Sequence, residues 1–240
     1  MTKIHSTVRV KSVLSMAVVF VAIIIVASYP AAQTSVSNKT IPNKSISNES
    51  QIAVRIVAEG TTRGAVACAR CHGFDGASDG SGAFPRLDGQ SAHYLADQLR
   101  RFASGDRQNA LMQPIAKALK DDEIGAVAQY YANVHTVPLP SRPVPAQLRD
   151  RGKQVAEVGD LSVRVQACES CHGPNGEGEP VSGVPYLGGQ YSHYISLQIQ
   201  MFRQGYRKSQ QMIVPAHNLS EQDITAVAAY FEQAPRPAVK

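Results

Sequence analysis

The chain has 240 residues, 43% hydrophobic and 18% charged, enough for one large folded domain or two small ones. Aromatic residues make up only 6% and tryptophan is absent, so two cores of about a hundred residues each would be thin without a bulky internal group. Of the net charge of +5, Lys3, Arg9 and Lys11 supply three ahead of an apolar run, leaving +2. No Lys/Arg cluster follows, which excludes nucleic acid as a partner.

Residues 1–32 read as a targeting segment. The run VLSMAVVFVAIIIVAS, residues 13–28, lies between a signal h-region of about 7–15 residues and a spanning helix of about 20. Val26 and Ser28 make a weak cleavage site and Pro30 disfavours those just after it. Both a cleaved signal peptide and a retained membrane anchor stay open, and in either case the remainder leaves the cytoplasm. Residues 33–50, rich in Ser, Asn, Thr and Lys, read as a flexible polar spacer, reaching about 25 Å if the anchor stays.

The first folded region spans residues 51–137. A helix is expected around Gln51–Glu59, followed by ACARCHG at residues 67–73 and the glycine-rich loop GFDGASDGSGAFPRLDG. Leu95, Leu99 and Phe102 recur at i, i+4, i+7, as on one face of a helix. Ile124, Val127, Ala128 and Tyr131 form a second stripe, with Asp121, Asp122 and Glu123 at the positive end of its helix. Residues 138–147 form a linker with prolines at 138, 140, 143 and 145, which resist helix and sheet. Residues 148–240 then repeat the first region without a gap from the cysteines onward. ACESCHG follows ACARCHG at an offset of one hundred positions, and Pro85, Gly89-Gln90, His93-Tyr94, Gln98, Phe102, Arg107 and Met112 all recur at that offset. A helix is expected around Gln147–Val158 before the second motif, and Ser220 with Asp223 resembles a capping pair. No stretch alternates as a strand, so the chain reads as an all-α duplication.

C-x-x-C-H is the attachment pattern for c-type haem. Two cysteines three apart share one side of a turn, where both sulfurs can bond one porphyrin, and the next histidine lies beneath the iron. Cys68, Cys71, Cys168 and Cys171 are thus the attachment residues, and His72 and His172 the proximal ligands, of two covalently bound haem c groups. A zinc ribbon needs its pairs about 15–20 residues apart, whereas Cys71 and Cys168 are 97 apart. A thioredoxin-like pair lacks its βαβ context, and adjacent disulfides would staple little chain. For the sixth ligand, Met112 and Met212 recur, each 40 residues beyond its histidine in loop-like sequence. His93 and His193 recur too and remain the alternative. Histidine/methionine ligation fills both axial positions and raises the potential, which favours one-electron transfer over catalysis. The carbonyls of Pro85 and Pro185 are candidates to orient the two histidines. Arg107 and Arg207 either face haem propionates or are ordinary surface arginines.

These residues resemble the diheme cytochrome c4 family. The resemblance runs from about Gln51 to the C-terminus and rests on C-x-x-C-H-G, P-x-L-x-G-Q, Y-[LI]-x-x-Q-[LI]-x-x-F-x-x-G-x-R, a methionine, and a helix ending in A-x-Y-[YF], each present twice. It implies two tandem class I cytochrome c domains with their haem propionate edges facing. It also implies periplasmic electron carriage from a quinol-oxidising complex to a terminal oxidase, by a protein that is not itself an enzyme. A cytochrome subunit of a periplasmic dehydrogenase, for example one oxidising sulfide or an alcohol, is the alternative; a diheme peroxidase is opposed by the matched methionines. Two departures stand out: the first N-terminal helix lacks an evident glycine or aromatic for packing on the last helix, and the apolar run is long. The second leaves open whether the protein is soluble in the periplasm or tethered to the inner membrane.

Overall fold

Helix α1 (Asn48–Glu59) begins before the expected Gln51, because the Ser47 hydroxyl accepts the Ser50 N–H at 3.2 Å and caps the first turn. The computed structural model describes residues 47–136 and 143–236. The targeting run, the spacer up to residue 46, the linker residues 137–142 and the last four residues lie outside the described residues. Among the described residues no helix is long and apolar enough to cross a membrane.

The first half continues with α2 (Ala69–His72), α3 (Ala92–Ser104), α4 (Met112–Lys117) and α5 (Asp121–Ala132). The second half repeats this order as α6 (Ala146–Glu157), α7 (Glu169–His172), α8 (Ser192–Arg203), α9 (Gln210–Asn218) and α10 (Glu221–Gln233). Pro145, the last linker proline, stands at the N-cap of α6, where its missing N–H costs nothing. The expected cap of α10 is present, Ser220 Oγ accepting the Asp223 N–H at 3.0 Å; in α5, Glu123, expected only as a charge at the positive helix end, also accepts the Lys120 N–H at 2.8 Å. The expectation of no strand needs a small correction. Gly159–Asp160 (β1) and Val165–Gln166 (β2) pair antiparallel in a two-residue ladder. The turn between them is one residue longer than its counterpart in the first half. Gly159 permits the ladder, with φ +81° and space so tight that a Cβ would lie 2.5 Å from the Val165 carbonyl oxygen.

Each half closes its own small core. In the first, Ile56 and Val57 of α1 meet Leu95 of α3 and the stripe Ile124, Val127, Ala128 and Tyr131 of α5. In the second, Val155 and Ala156 of α6 meet Ile195, Ile199 and Phe202 of α8 and Ile224, Val227, Ala228 and Phe231 of α10. Both stripes expected from helical periodicity therefore face inward. The packing of first on last helix differs between halves. Gly152 lets α6 approach so closely that a Cβ there would sit 2.1 Å from the Ala226 carbonyl oxygen, whereas α1 makes its contact with α5 through Ala53, Ile56 and Val57. The halves meet at matching segments: Arg107 and Arg207 form an antiparallel bridge, flanked by Gln108 N–H to the Tyr206 carbonyl at 2.7 Å and Lys208 N–H to the Asp106 carbonyl at 2.9 Å.

Candidate haem-iron centres

The cysteine motifs fold locally. In α2 the Cys68 carbonyl accepts the His72 N–H at 3.0 Å, and Gly73, at φ +75°, ends the turn as a side-chain-bearing residue would not readily do. The same turn recurs in α7, where the Cys168 carbonyl accepts the His172 N–H at 2.9 Å and Gly173 stands at φ +73°. All four cysteines are free. The last helices brace the motifs: Tyr131 donates to the Gly73 carbonyl at 3.0 Å, and Tyr230 donates to Glu169 of α7 at 3.0 Å.

His72 Nδ1 lies 3.3 Å from the Pro85 carbonyl oxygen, and His172 Nδ1 lies 3.1 Å from that of Pro185. A ring that donates from Nδ1 keeps the lone pair of Nε2 free. Burial pulls both imidazoles below the usual value, against the opposing pull of the two proline carbonyls, and a neutral imidazole is what a metal requires. Burial likewise pushes the Cys68 and Cys168 thiols up to about 11 and about 12.

The cysteines, the motif histidines, Pro85, Pro185, Arg107, Arg207, Met112 and Met212 all line one continuous cavity of about 2040 Å³; of the alternative ligands, His93 lines it and His193 does not. The cavity is about twice the upper size of an ordinary small-molecule site. Met112 and Met212 line it from helices rather than loops, a correction with a local cause. The Asn109 carboxamide accepts the Met112 N–H at 2.8 Å in the turn that leads into α4, while Ser209 Oγ accepts the Met212 N–H at 3.2 Å and caps α9, which starts two residues earlier in the repeat. His93 and His193, the alternative ligands, are both exposed in the first turns of α3 and α8.

Arg107 and Arg207 are not surface residues: they are 5% and 8% exposed. Arg107 donates to Gln98 at 2.8 Å, Gln198 at 2.7 Å and Tyr194 at 2.5 Å; Arg207 donates to Gln198 and Gln98 at 3.0 Å each and to Tyr94 at 2.7 Å. Their planes lie over Phe102 and Phe202, each 4.5 Å from the ring centroid. All these partners are neutral, so two buried positive charges face the cavity supported by dipoles alone, a costly arrangement unless an anion joins them. Their field shows in Tyr94: burial opposes its ionisation, but the guanidiniums of Arg207 and Arg107 outweigh burial and lower its phenol. Gln98, Gln198, Tyr94 and Tyr194 are functional neighbours that helical periodicity misses, although each recurs at the one-hundred-residue offset.

The residues present fit a haem in each half. Two sulfurs and a neutral imidazole come from one turn and a thioether from a second helix. Apolar walls such as Leu95 and Val127 lie between them, and buried guanidiniums suit carboxylates.

A family model described as "Cytochrome c" matches residues 150–235, and one described as "Cytochrome C oxidase, cbb3-type, subunit III" matches residues 56–130. The chain is 38% identical over 178 residues to a thiosulfate dehydrogenase electron acceptor of Stutzerimonas stutzeri, covering 72% of this chain and 81% of that one. Its fold resembles a solved thiosulfate dehydrogenase from Marichromatium purpuratum, with a TM-score of 0.69 and 35% identity over 78% of this chain; this chain spans only 40% of that longer one. It also resembles reduced cytochrome c4 from Pseudomonas stutzeri, with a TM-score of 0.64 and 31% identity, covering 70% of this chain and 93% of that one. Two cytochrome c modules in one electron-transfer chain mean two covalently bound haem c groups, and with these relatives the protein belongs to the diheme cytochrome c4 family.

Proposed function

We propose that this chain carries single electrons in the periplasm, using two His/Met-ligated haems that work as one unit. The observation that carries this reading is the single cavity reached by the attachment residues, histidines and methionines of both halves. Each haem, when bound, supplies an iron that cycles between two oxidation states by one electron. The chain supplies the rest. Cys68, Cys71, Cys168 and Cys171 fix position covalently. His72 and His172 would offer Nε2 to the iron, their Nδ1 atoms lying near the Pro85 and Pro185 carbonyls that orient the rings. Met112 and Met212 would supply the remaining ligands, which would oppose binding of oxygen or peroxide. Arg107 and Arg207 hold the propionates at the junction of the halves. The apolar run at residues 13–28 supports haem attachment outside the cytoplasm, in a protein either soluble in the periplasm or tethered to the inner membrane.

The proposed route runs from a quinol-oxidising complex to a terminal oxidase. A second reading makes the donor a periplasmic dehydrogenase, and the similarity to a thiosulfate dehydrogenase electron acceptor favours thiosulfate as its substrate. The oxidised protein is to be mixed separately with a quinol-oxidising complex plus quinol and with a thiosulfate dehydrogenase plus thiosulfate. Absorption should report two electrons accepted per molecule, followed by reoxidation on adding the oxidase. Uptake of one electron only would refute the two-centre carrier, and the faster donor identifies the route.

A further inference from the structure

The repeated Gly-Gln pair makes a contact that the fold uses twice and that crosses between the halves. Gln90 accepts the Tyr186 N–H at 3.1 Å and donates to the Tyr186 carbonyl at 3.0 Å. Gln190 accepts the Arg86 N–H at 3.0 Å and donates to the Arg86 carbonyl at 3.0 Å. Each carboxamide thus grips the backbone of one residue in the other half, as a neighbouring β-strand would. Both glutamines are buried, 7% and 9% exposed, so water does not compete for these bonds. Both are mounted rigidly in their own halves, since Gly89 N–H donates to the Tyr131 carbonyl at 2.9 Å and Gly189 N–H to the Phe231 carbonyl at 2.8 Å.

The residue gripped is in each case the one after the proline that holds the histidine. The N–H of Tyr186 and the carbonyl of Pro185 belong to a single planar peptide unit. One end of that unit is bound by Gln90, and the other lies 3.1 Å from His172 Nδ1. The unit joining Pro85 to Arg86 stands in the same way between Gln190 and His72. Hydrogen bonds at the two ends of one amide strengthen each other. A carboxamide oxygen on the N–H makes the carbonyl a better acceptor, and a better acceptor makes the imidazole a stronger donor to metal.

We propose that Gln90 and Gln190 are positioning residues acting across the molecule: each sets the orientation and basicity of the histidine in the opposite half, and through it the potential of the opposite haem. This rests on the reading of His72 and His172 as proximal ligands. The sign follows from the chemistry. A more basic imidazole favours the oxidised iron, so loss of the carboxamide raises the potential. Outer-shell partners of a ligating histidine are typically worth 10–100-fold. The glutamine stands one amide further out, so an effect of about tenfold on the reduction equilibrium is expected, or about 60 mV for a one-electron couple.

The test uses Gln90→Met and Gln190→Met in the full-length holoprotein. Both keep the side-chain volume and remove both hydrogen bonds. Haem-resolved redox titration, with NMR of the haem methyl resonances, assigns each shift to its centre. Gln90→Met should raise the potential of the haem held by Cys168 and Cys171 and leave the other within measurement error, and Gln190→Met should do the reverse. A shift confined to the haem of the mutated half, equal shifts at both, no shift, or failure of both variants to assemble with two haems would each overturn the proposal. A His172→Gly variant checks the ligand reading separately. If the haem held by Cys168 and Cys171 stays low-spin in this variant, the histidine assignment fails, whatever the glutamine variants do.

Discussion

Replacing Asp88 by Asn tests a buried ion cluster that joins the two halves. The Asp88 side chain has no exposed surface; it pairs with Arg86, whose side chain is 4% exposed, at 3.1 Å, and with Arg236 from the end of the second half. Thr136 donates its hydroxyl and its N–H to the same carboxylate. Asparagine keeps the shape but removes the charge and turns one acceptor into a donor, leaving Arg86 buried without a counterion. Breaking a buried pair in this way costs about 3–5 kcal/mol. Arg236, 17% exposed, can still reach water, which favours the lower end, about 3 kcal/mol. For a folded unit of this size, about 2–4 °C is lost per kcal/mol, so the holoprotein should melt about 6–12 °C lower. The pH dependence gives an independent check. Burial alone would raise the Asp88 carboxyl, but Arg86, Arg236 and Thr136 together hold it below the ordinary value of 3.8. A folded value below the unfolded one means that the contribution is present above about pH 4 and is lost as pH falls through the folded value. Calorimetric melts of wild type and variant at matched haem content, from pH 7 downward, should therefore converge under acid. A change within 0.5 kcal/mol at pH 7, the ordinary surface range, or a gap that widens on acidification, would refute the reasoning.

Three further outcomes follow from the same structure. Met112→Ala and Met212→Ala should each abolish the far-red methionine–iron band of one haem and lower its potential, read by absorption and redox titration; two unchanged low-spin spectra would remove methionine as the sixth ligand. Gly152→Ala places a Cβ 2.1 Å from the Ala226 carbonyl oxygen; α6 must move off α10, at a cost of about 1–3 kcal/mol in denaturant melts. Tyr131→Phe removes the hydroxyl bond to the Gly73 carbonyl but installs the residue already at the matching position, Phe231, so the loss should be about 1 kcal/mol, with the haem spectrum unchanged.

Much of this molecule is written in patterns a few residues long. C-x-x-C-H makes its own turn, because the bond from the His72 N–H to the Cys68 carbonyl closes within five residues and Gly73 ends it. The inward stripes of α3, α5, α8 and α10 follow from a 3.6-residue period and need no partner to be recognised. The repeat offset then places every such feature twice. What sequence misjudged locally was capping: Asn109 leads into α4 and Ser209 caps α9 where Met112 and Met212 looked like loop, and Ser47 starts α1 within the supposed spacer.

Which side chains meet between the halves follows from docking alone. Arg107 reaches Tyr194 and Gln198, Gln90 reaches Tyr186, and Arg236 reaches Asp88, all partners roughly ninety to one hundred and fifty residues away. No local rule encodes such distances, because they depend on how two finished halves dock. Asp88 has only Gly188 at its repeat position, so its ion cluster could not be anticipated from the duplication either. The two C-x-x-C-H motifs were legible in the sequence, since that pattern is a matter of spacing along one turn. The joining of their surroundings into one cavity, and the hold of Gln90 and Gln190 on the backbone of the opposite half, came from docking, where burial excludes water and gives each remaining hydrogen bond its weight.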